Sequence, residues 1–191
     1  MKTQISTSFK MLLVMTLLTG VLYPVLMTVI AQLVFPNKSN GSLIEKNGIL
    51  TGSELIAQKF QSDKYFWSRP SAIDYNPLPS GASNFSPTSK ALNDSVEERR
   101  EYFIKLNYLP PNTIVPTEML CTSASGIDPH ISPEAVLLQA DRIANARGFD
   151  EQKKALLKTL VQNHIEAPQF GFLGEPRVNV LKLNLKLDEM K

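Results

Sequence analysis

The chain has only two histidines, His130 and His164, and the first stands in Asp128-Pro129-His130. A carboxylate and an imidazole two residues apart could give a metal ion two ligands, but a third must come from elsewhere and no spacing announces it. A turn organised by His130 just ahead of a helix start is the plainer reading. Ser123-Ala124-Ser125-Gly126 is a run of small residues whose backbone amides could cradle an anion, or simply form a turn. Phe170-Gly171-Phe172-Leu173-Gly174-Glu175-Pro176-Arg177 reads as a second tight loop, fixed by an ion pair between Glu175 and Arg177. There is no GxxxxGK(S/T) phosphate loop, no GxGxxG, no HExxH and no GxSxG. Cys121 is the only cysteine, so there is no intramolecular disulfide and no cysteine metal cluster. No catalytic pair and no metal site emerge from composition or spacing.

These loops must be positioned by regular elements. Two short strands are expected at residues 42–44 and 49–50, and a helix at 53–60. Residues 61–86 are loop-rich, with Pro70, Pro77, Pro79 and Gly81, and the aromatic run Tyr65-Phe66-Trp67 is expected to seal the core beneath them. Ser86-Pro87 starts a helix, with Leu92, Val96, Phe103 and Leu106 on one face, Glu97 to Arg100 on a solvated one, and a stop at Pro110-Pro111. Ser132-Pro133-Glu134 starts another, with the apolar stripe Val136, Ala140, Ile143 and Ala144; Arg147 and Gly148 end it. Asp150 caps a third helix carrying Leu156, Leu157, Leu160 and Val161, so the last two form a helical hairpin that Pro168 closes. Val178 and Val180 suggest a strand. Beyond Leu181, leucines alternate with Lys182, Asn184 and Lys186, which fits a half-buried strand, and a terminal helix fits as well.

Residues 11–35 carry no charge, a run longer than the ~20 residues a helix needs to cross a bilayer. Lys2, Lys10 and the terminal amine precede it with no acid among them, so residues 1–10 are expected in the cytoplasm and residues 36–191 outside, as one soluble domain. A cleaved signal peptide, with Val29-Ile30-Ala31 as cleavage site, is disfavoured because the apolar run exceeds the usual 7–15 residues. Pro24 removes a backbone donor and presses on the Gly20 carbonyl, so a kink is expected. Thr16 and Gly20 form a small-xxx-small pair, and Thr28 and Gln32 add polar groups. Thr16, Gly20, Pro24, Thr28 and Gln32 therefore form the expected face for a partner helix.

The fold class is thus α+β: one transmembrane helix, then a single mixed α/β extracytoplasmic domain. Of 20 basic residues only Lys2 and Lys10 precede the anchor, so the outer domain carries 18 bases against its 18 acids. Such a neutral domain, without a basic stripe, does not suit nucleic acid.

Taken in order, several segments resemble the C subunit of the Kdp-type potassium-transporting P-type ATPase. They are Thr19-Gly20, Tyr23-Pro24, Thr28, Gln32 and Phe35-Pro36 in the anchor, NGSLI at 40–44, YFWSRPSA at 65–72, SGxSN at 80–84 and DPHISPEA at 128–135. Gln139, Arg142, Ala146-Arg147-Gly148 and GFLGEPRVNVL at 171–181 follow. The resemblance implies an accessory subunit of ATP-driven, high-affinity potassium uptake at the bacterial inner membrane. It would sit in the lipid beside a channel-like potassium-binding subunit and an ATP-hydrolysing subunit. The chain lacks the DKTG phosphorylation motif and cannot be the pump itself.

The resemblance also implies a catalytic chaperone that raises the ATP affinity of the catalytic subunit, with nucleotide contacts at Ser123, Ser125, Gly126 and Gln139. No covalent cofactor is implied, and ATP reaches the chain through its catalytic partner. The chain departs from the family pattern at Thr122 and Ala124 in that loop, and at Ala82 and Phe85-Ser86 in another. An exterior domain faces little ATP, so the expected effect on ATP affinity is indirect, through packing against the partners. The alternative reading is a membrane-anchored exterior enzyme or metal-binding domain.

Overall fold

The computed structural model describes residues 2–46 and 48–190 and divides into two units, Met1–Ser53 and Glu54–Lys191. The first begins with one continuous helix, Lys2–Val34, of 33 residues, long and apolar enough to cross a membrane. It comprises α1 (Lys2–Met15), a π-helical segment (Thr16–Leu22) and α2 (Tyr23–Val34). None of its residues is buried. Helix thus extends back through most of the charged N-terminal stretch and stops at Phe35, where the backbone leaves helical geometry.

The irregularity expected at Pro24 takes the form of that π segment. The Tyr23 N–H donates to Leu18 O, five residues back. A widened turn next to a proline relieves the clash between its ring and the preceding turn. After the short helix α3 (Pro36–Ser39), strands β1 (Leu43–Lys46) and β2 (Ile49–Ser53) pair antiparallel, with a bulge between Ile44 and Glu45.

No helix forms at residues 53–60. Ser53 ends β2 and its hydroxyl donates to Gly41 O at 2.7 Å, while the Ala57 amide bonds Ile127 O at 2.9 Å. Tertiary partners take the groups a helix would have used. Residues 54–89 contain no helix or strand at all.

Helix α4 (Lys90–Leu106) starts three residues later than the Ser86-Pro87 signal suggests. Ser86 O closes a turn with Ser89 N, and Ser89 is the cap, accepting from Leu92 N at 3.2 Å. Its charged face is not simply solvated: Arg99 donates to Leu120 O at 2.8 Å and Arg100 to Pro111 O at 2.9 Å. Both arginines tie α4 to the chain around α5 (Thr117–Leu120).

Strand β3 (His130–Ile131) leads into α6 (Pro133–Ala146), capped by Ser132 as expected, and α7 (Glu151–Asn163) is capped by Asp150. Gly148 turns left-handed between them, and the two form the helical hairpin. Strand β4 (Ile165–Glu166) and β5 (Arg177–Asn179) follow, giving an antiparallel sheet in the order β3-β5-β4. Val178 is in the strand, but Val180 opens helix α8 (Val180–Leu187), capped by Asn179. Helix wins there because Val180, Leu183, Asn184 and Leu187 share one buried face at helical spacing.

The core of the second unit gathers Phe66 and Phe103 with Ile131, Val136 and Ile143, the α7 residues Leu157 and Val161, Val178, and Leu183 and Leu187. Phe66 therefore does seal it from the long irregular segment.

Candidate functional site

Thr16, Gly20, Pro24, Thr28 and Gln32 recur every fourth residue along one unbroken helix. A Cβ added at Gly20 would meet only Thr16 Cγ2, at an ordinary 3.9 Å. The helix itself does not require a glycine there. The Thr28 hydroxyl donates to Pro24 O at 2.8 Å and so is satisfied within its own helix, and Gln32 Nε2 donates to Asn40 Oδ1 at 3.1 Å near the helix end.

In the second unit, polar side chains converge on the irregular segment around Trp67. Gln139, on α6, is fully buried. Its Oε1 accepts from Trp67 N at 2.8 Å and from Arg142 Nη2 at 3.0 Å, while its Nε2 donates to Trp67 O at 3.3 Å and Ala135 O at 3.1 Å. One turn on, Arg142 is 2% exposed. It donates to Asn107 Oδ1 at 2.9 Å, Asp63 O at 2.6 Å and Tyr65 O at 3.0 Å, and its guanidinium lies 4.8 Å from the Trp67 ring centroid. Trp67 in turn stacks on Tyr102, with ring centroids 5.8 Å apart. Burial pushes the Arg142 pKa down to about 10. The group stays charged at neutral pH, held by neutral acceptors and one aromatic face.

Ser123, Ser125 and Gly126 come together in one turn that rests on the same irregular segment. Ser123 N donates to Pro70 O at 3.2 Å, and Gly126 N to Ser123 O at 3.2 Å. Ile127 N donates to Ser125 Oγ at 3.2 Å. Ser125 O receives Ser80 Oγ at 2.8 Å and Gly81 N at 3.3 Å. Gly126 has φ +72°, and a Cβ there would run into Ile73. Several amides that might have cradled an anion are thus engaged within the domain. Gln139 is not in this turn; its amide is fully bonded in the core.

Beside the turn, Asp128 Oδ2 accepts from Arg69 Nη1 at 3.2 Å, and its Oδ1 accepts from His130 N at 3.0 Å. Burial pushes the Asp128 carboxyl up, but the His130 bonds and the Arg69 charge outweigh it and hold the group below its usual range. His130 Nδ1 lies 3.4 Å from the same carboxylate, so His130 does organise this turn, from within β3. Burial pushes the Tyr75 hydroxyl up to about 12, with Asp74 adding to it; that hydroxyl donates to Arg69 O at 2.7 Å. No three His, Cys, Asp or Glu side chains among the described residues are grouped to hold a metal ion.

The Glu175–Arg177 pair expected in the later loop does not form. Arg177 Nε binds Glu166 Oε2 at 3.1 Å, because these two face each other across β5 and β4. The residues that sequence reasoning passed over are Asn107, Asn179 and Asn184. Asn179 Nδ2 donates to Glu54 O at 2.7 Å, while Asn184 holds Phe66. Their one signal in the sequence is an amide set inside an otherwise apolar stretch.

The family described as KdpC, K+-transporting ATPase, c chain, matches residues 5–189. The chain is 50% identical over 185 residues to a protein of Methylococcus capsulatus named potassium-transporting ATPase KdpC subunit, covering 95% of each chain. It is 47% identical over 184 residues to the protein of that name from Leptospira interrogans, covering 96% of this chain and 93% of the relative. It is 42% identical over 186 residues to that of Caldanaerobacter subterraneus subsp. tengcongensis, covering 97% and 95%.

Proposed function

The chain belongs to the KdpC family, the c chain of K+-transporting ATPases, and on that premise we propose how it serves the complex. It is a single-pass accessory subunit of the bacterial inner membrane, with its N-terminus in the cytoplasm and its globular domain outside. Its partners are the channel-like potassium-binding subunit and the ATP-hydrolysing subunit. The helix packs against them through Thr16, Gly20, Pro24, Thr28 and Gln32. What supports this reading is a glycine that its own helix does not need, within the π segment, in a helix with no buried residue. Small residues let a second helix approach closely, and π turns inside α-helices are frequent at functional sites.

The chain raises ATP affinity indirectly. The supporting observation is Gln139: every bond its amide can make is already made, to Trp67, Arg142 and Ala135. Ser123, Ser125, Gly126 and Gln139 then act on nucleotide affinity by fixing the shape of the domain. A subunit changes ATP affinity only by binding one conformation of the pump better than another, and a tenfold change needs about 1.4 kcal/mol of such preference.

The test has two arms. Full-length chain, tagged at its C-terminus and purified in mild detergent, is expected to bring large membrane proteins with it. Calorimetric titration of the isolated full chain with millimolar ATP is expected to give no binding heat, while the complex lacking the chain shows weaker apparent ATP affinity. Saturable heat abolished by Ser125→Ala would replace the indirect mechanism with direct contact.

A further inference from the structure

Residues 168–174 form a turn closed by its own backbone hydrogen bonds. Gln169 and Leu173 exchange backbone bonds of 2.9 Å in both directions, and Gly171 N bonds Pro168 O at 3.0 Å. Phe170, Gly171 and Gly174 all have positive φ, a conformation that residues with side chains seldom adopt. The result faces two phenyl rings outward: Phe170 is 87% exposed and Phe172 76%. In a domain that fully buries Phe66 and nearly buries Phe103, this ordered turn keeps its aromatics out of the core.

From this turn we infer a docking knob whose two phenyl rings enter an apolar, basic-rimmed pocket on a neighbouring protein subunit of the same ATPase. The inference rests on the accessory-subunit reading above. Rigid, pre-arranged aromatics are the side chains that carry binding energy in protein pockets, since little freedom is lost on docking. The charge around the knob selects the occupant. Residues 169–174 carry no charge, and Arg177 is engaged with Glu166 at 3.1 Å. Glu175 has no ion pair among the described residues and offers its carboxylate to a cation. A surface built for anionic lipid would instead present Lys, Arg, Trp or Tyr. Residues 36–53 join the membrane helix to the domain and reach roughly 60 Å even when fully extended. The knob is therefore held at high effective concentration beside the proteins the helix packs against.

The test uses the full chain co-expressed with the rest of the ATPase. A photoreactive benzoyl-phenylalanine at position 172 is expected to crosslink to another protein subunit, mapped by mass spectrometry. The double variant Phe170→Ser/Phe172→Ser is expected to lower the amount of chain retained on the complex in stringent detergent about tenfold, and Glu175→Lys to lower it too. Because both rings are exposed, the thermal unfolding of the double variant, followed by Trp67 fluorescence, should match the unaltered chain. Crosslinks to lipid alone, or unchanged retention in the double variant, would overturn the inference and leave the accessory role standing. An unaltered chain that recovers no other subunit would overturn both.

Discussion

The side-chain amide of Asn184 holds both backbone groups of Phe66: its Oδ1 accepts from Phe66 N at 2.9 Å and its Nδ2 donates to Phe66 O at 2.9 Å. Gln139 does the same to Trp67, the next residue. Two amide side chains thus take the place of a neighbouring strand. They satisfy the buried backbone of a segment that has no ladder of its own. Arg142 extends the pattern to the carbonyls of Asp63 and Tyr65. The long stretch before α4 owes its shape to helices that come much later in the chain.

Asn184→Leu keeps the branched skeleton but strands a buried N–H and C=O on Phe66. The expected loss is about 2–4 kcal/mol of stability. Urea unfolding of the full chain in detergent, read by Trp67, the single tryptophan, checks it. A loss below half a kcal/mol would show that water or a shifted backbone replaces the amide.

Arg142→Lys should be costly despite keeping the charge. A lysine ammonium cannot spread over acceptors from Asn107, Asp63, Tyr65 and Gln139 as the planar fork does. A destabilisation of about 3 kcal/mol is expected, together with a changed Trp67 emission because the guanidinium leaves its ring. Emission and stability both unaltered would refute the clamp.

Asp128 sets an acid limit. Its folded pKa lies below the ordinary value, so between the two the unfolded chain takes up a proton that the folded chain refuses. Stability from this group is complete above about pH 4 to 5 and is lost as pH falls through the folded pKa. Melting temperatures at pH 5 and pH 3 should therefore fall further for the unaltered chain than for Asp128→Asn. Equal drops would mean that the Arg69 and His130 contacts carry no net preference for the carboxylate.

Two glycines separate space from backbone conformation. Gly126→Ala combines positive φ with a collision against Ile73 and an approach of 3.0 Å to Gly81 O, whereas Gly148→Ala meets nothing within 4 Å. Gly148→Ala is expected to cost about 1 kcal/mol and Gly126→Ala two or more. Matched thermal melts decide; similar shifts would show that the Ser123 turn yields freely.

Gly20→Ile alters only what faces away from its own helix. The variant chain is expected to insert into the membrane and unfold like the original, while its recovery with other subunits falls several-fold. Undiminished recovery would move the packing face elsewhere on the helix.

Elements with local signals were legible. Ser132-Pro133, Asp150 and Gly148 mark α6, α7 and the turn between them through neighbouring backbone groups alone. Ser86 and Ser89 offer the same signal for one helix start, and Ser89 is the one that accepts from the Leu92 amide. At residues 53–60 the expected helix gives way to distant partners: the Ala57 amide goes to Ile127 and the Glu54 carbonyl to Asn179, 125 residues away. No local pattern reveals such partners. Asn184 looked like the polar half of an alternating strand because its role lies in Phe66, 118 residues distant. Of the candidate site, the resemblance named Gln139 and the serine loop together, but the glutamine amide is bonded to Trp67, Arg142 and Ala135, whereas Ser123, Ser125 and Gly126 form a separate turn bonded to residues 70–81.

The wide gap between Phe66 and Asn184 also orders events during biosynthesis. After Phe66 leaves the ribosome, 118 further residues must be polymerised before its clamp exists. At bacterial elongation rates that is about ten seconds. For that interval the aromatic stretch stays uncommitted, and closure of the domain waits for α8 to be made.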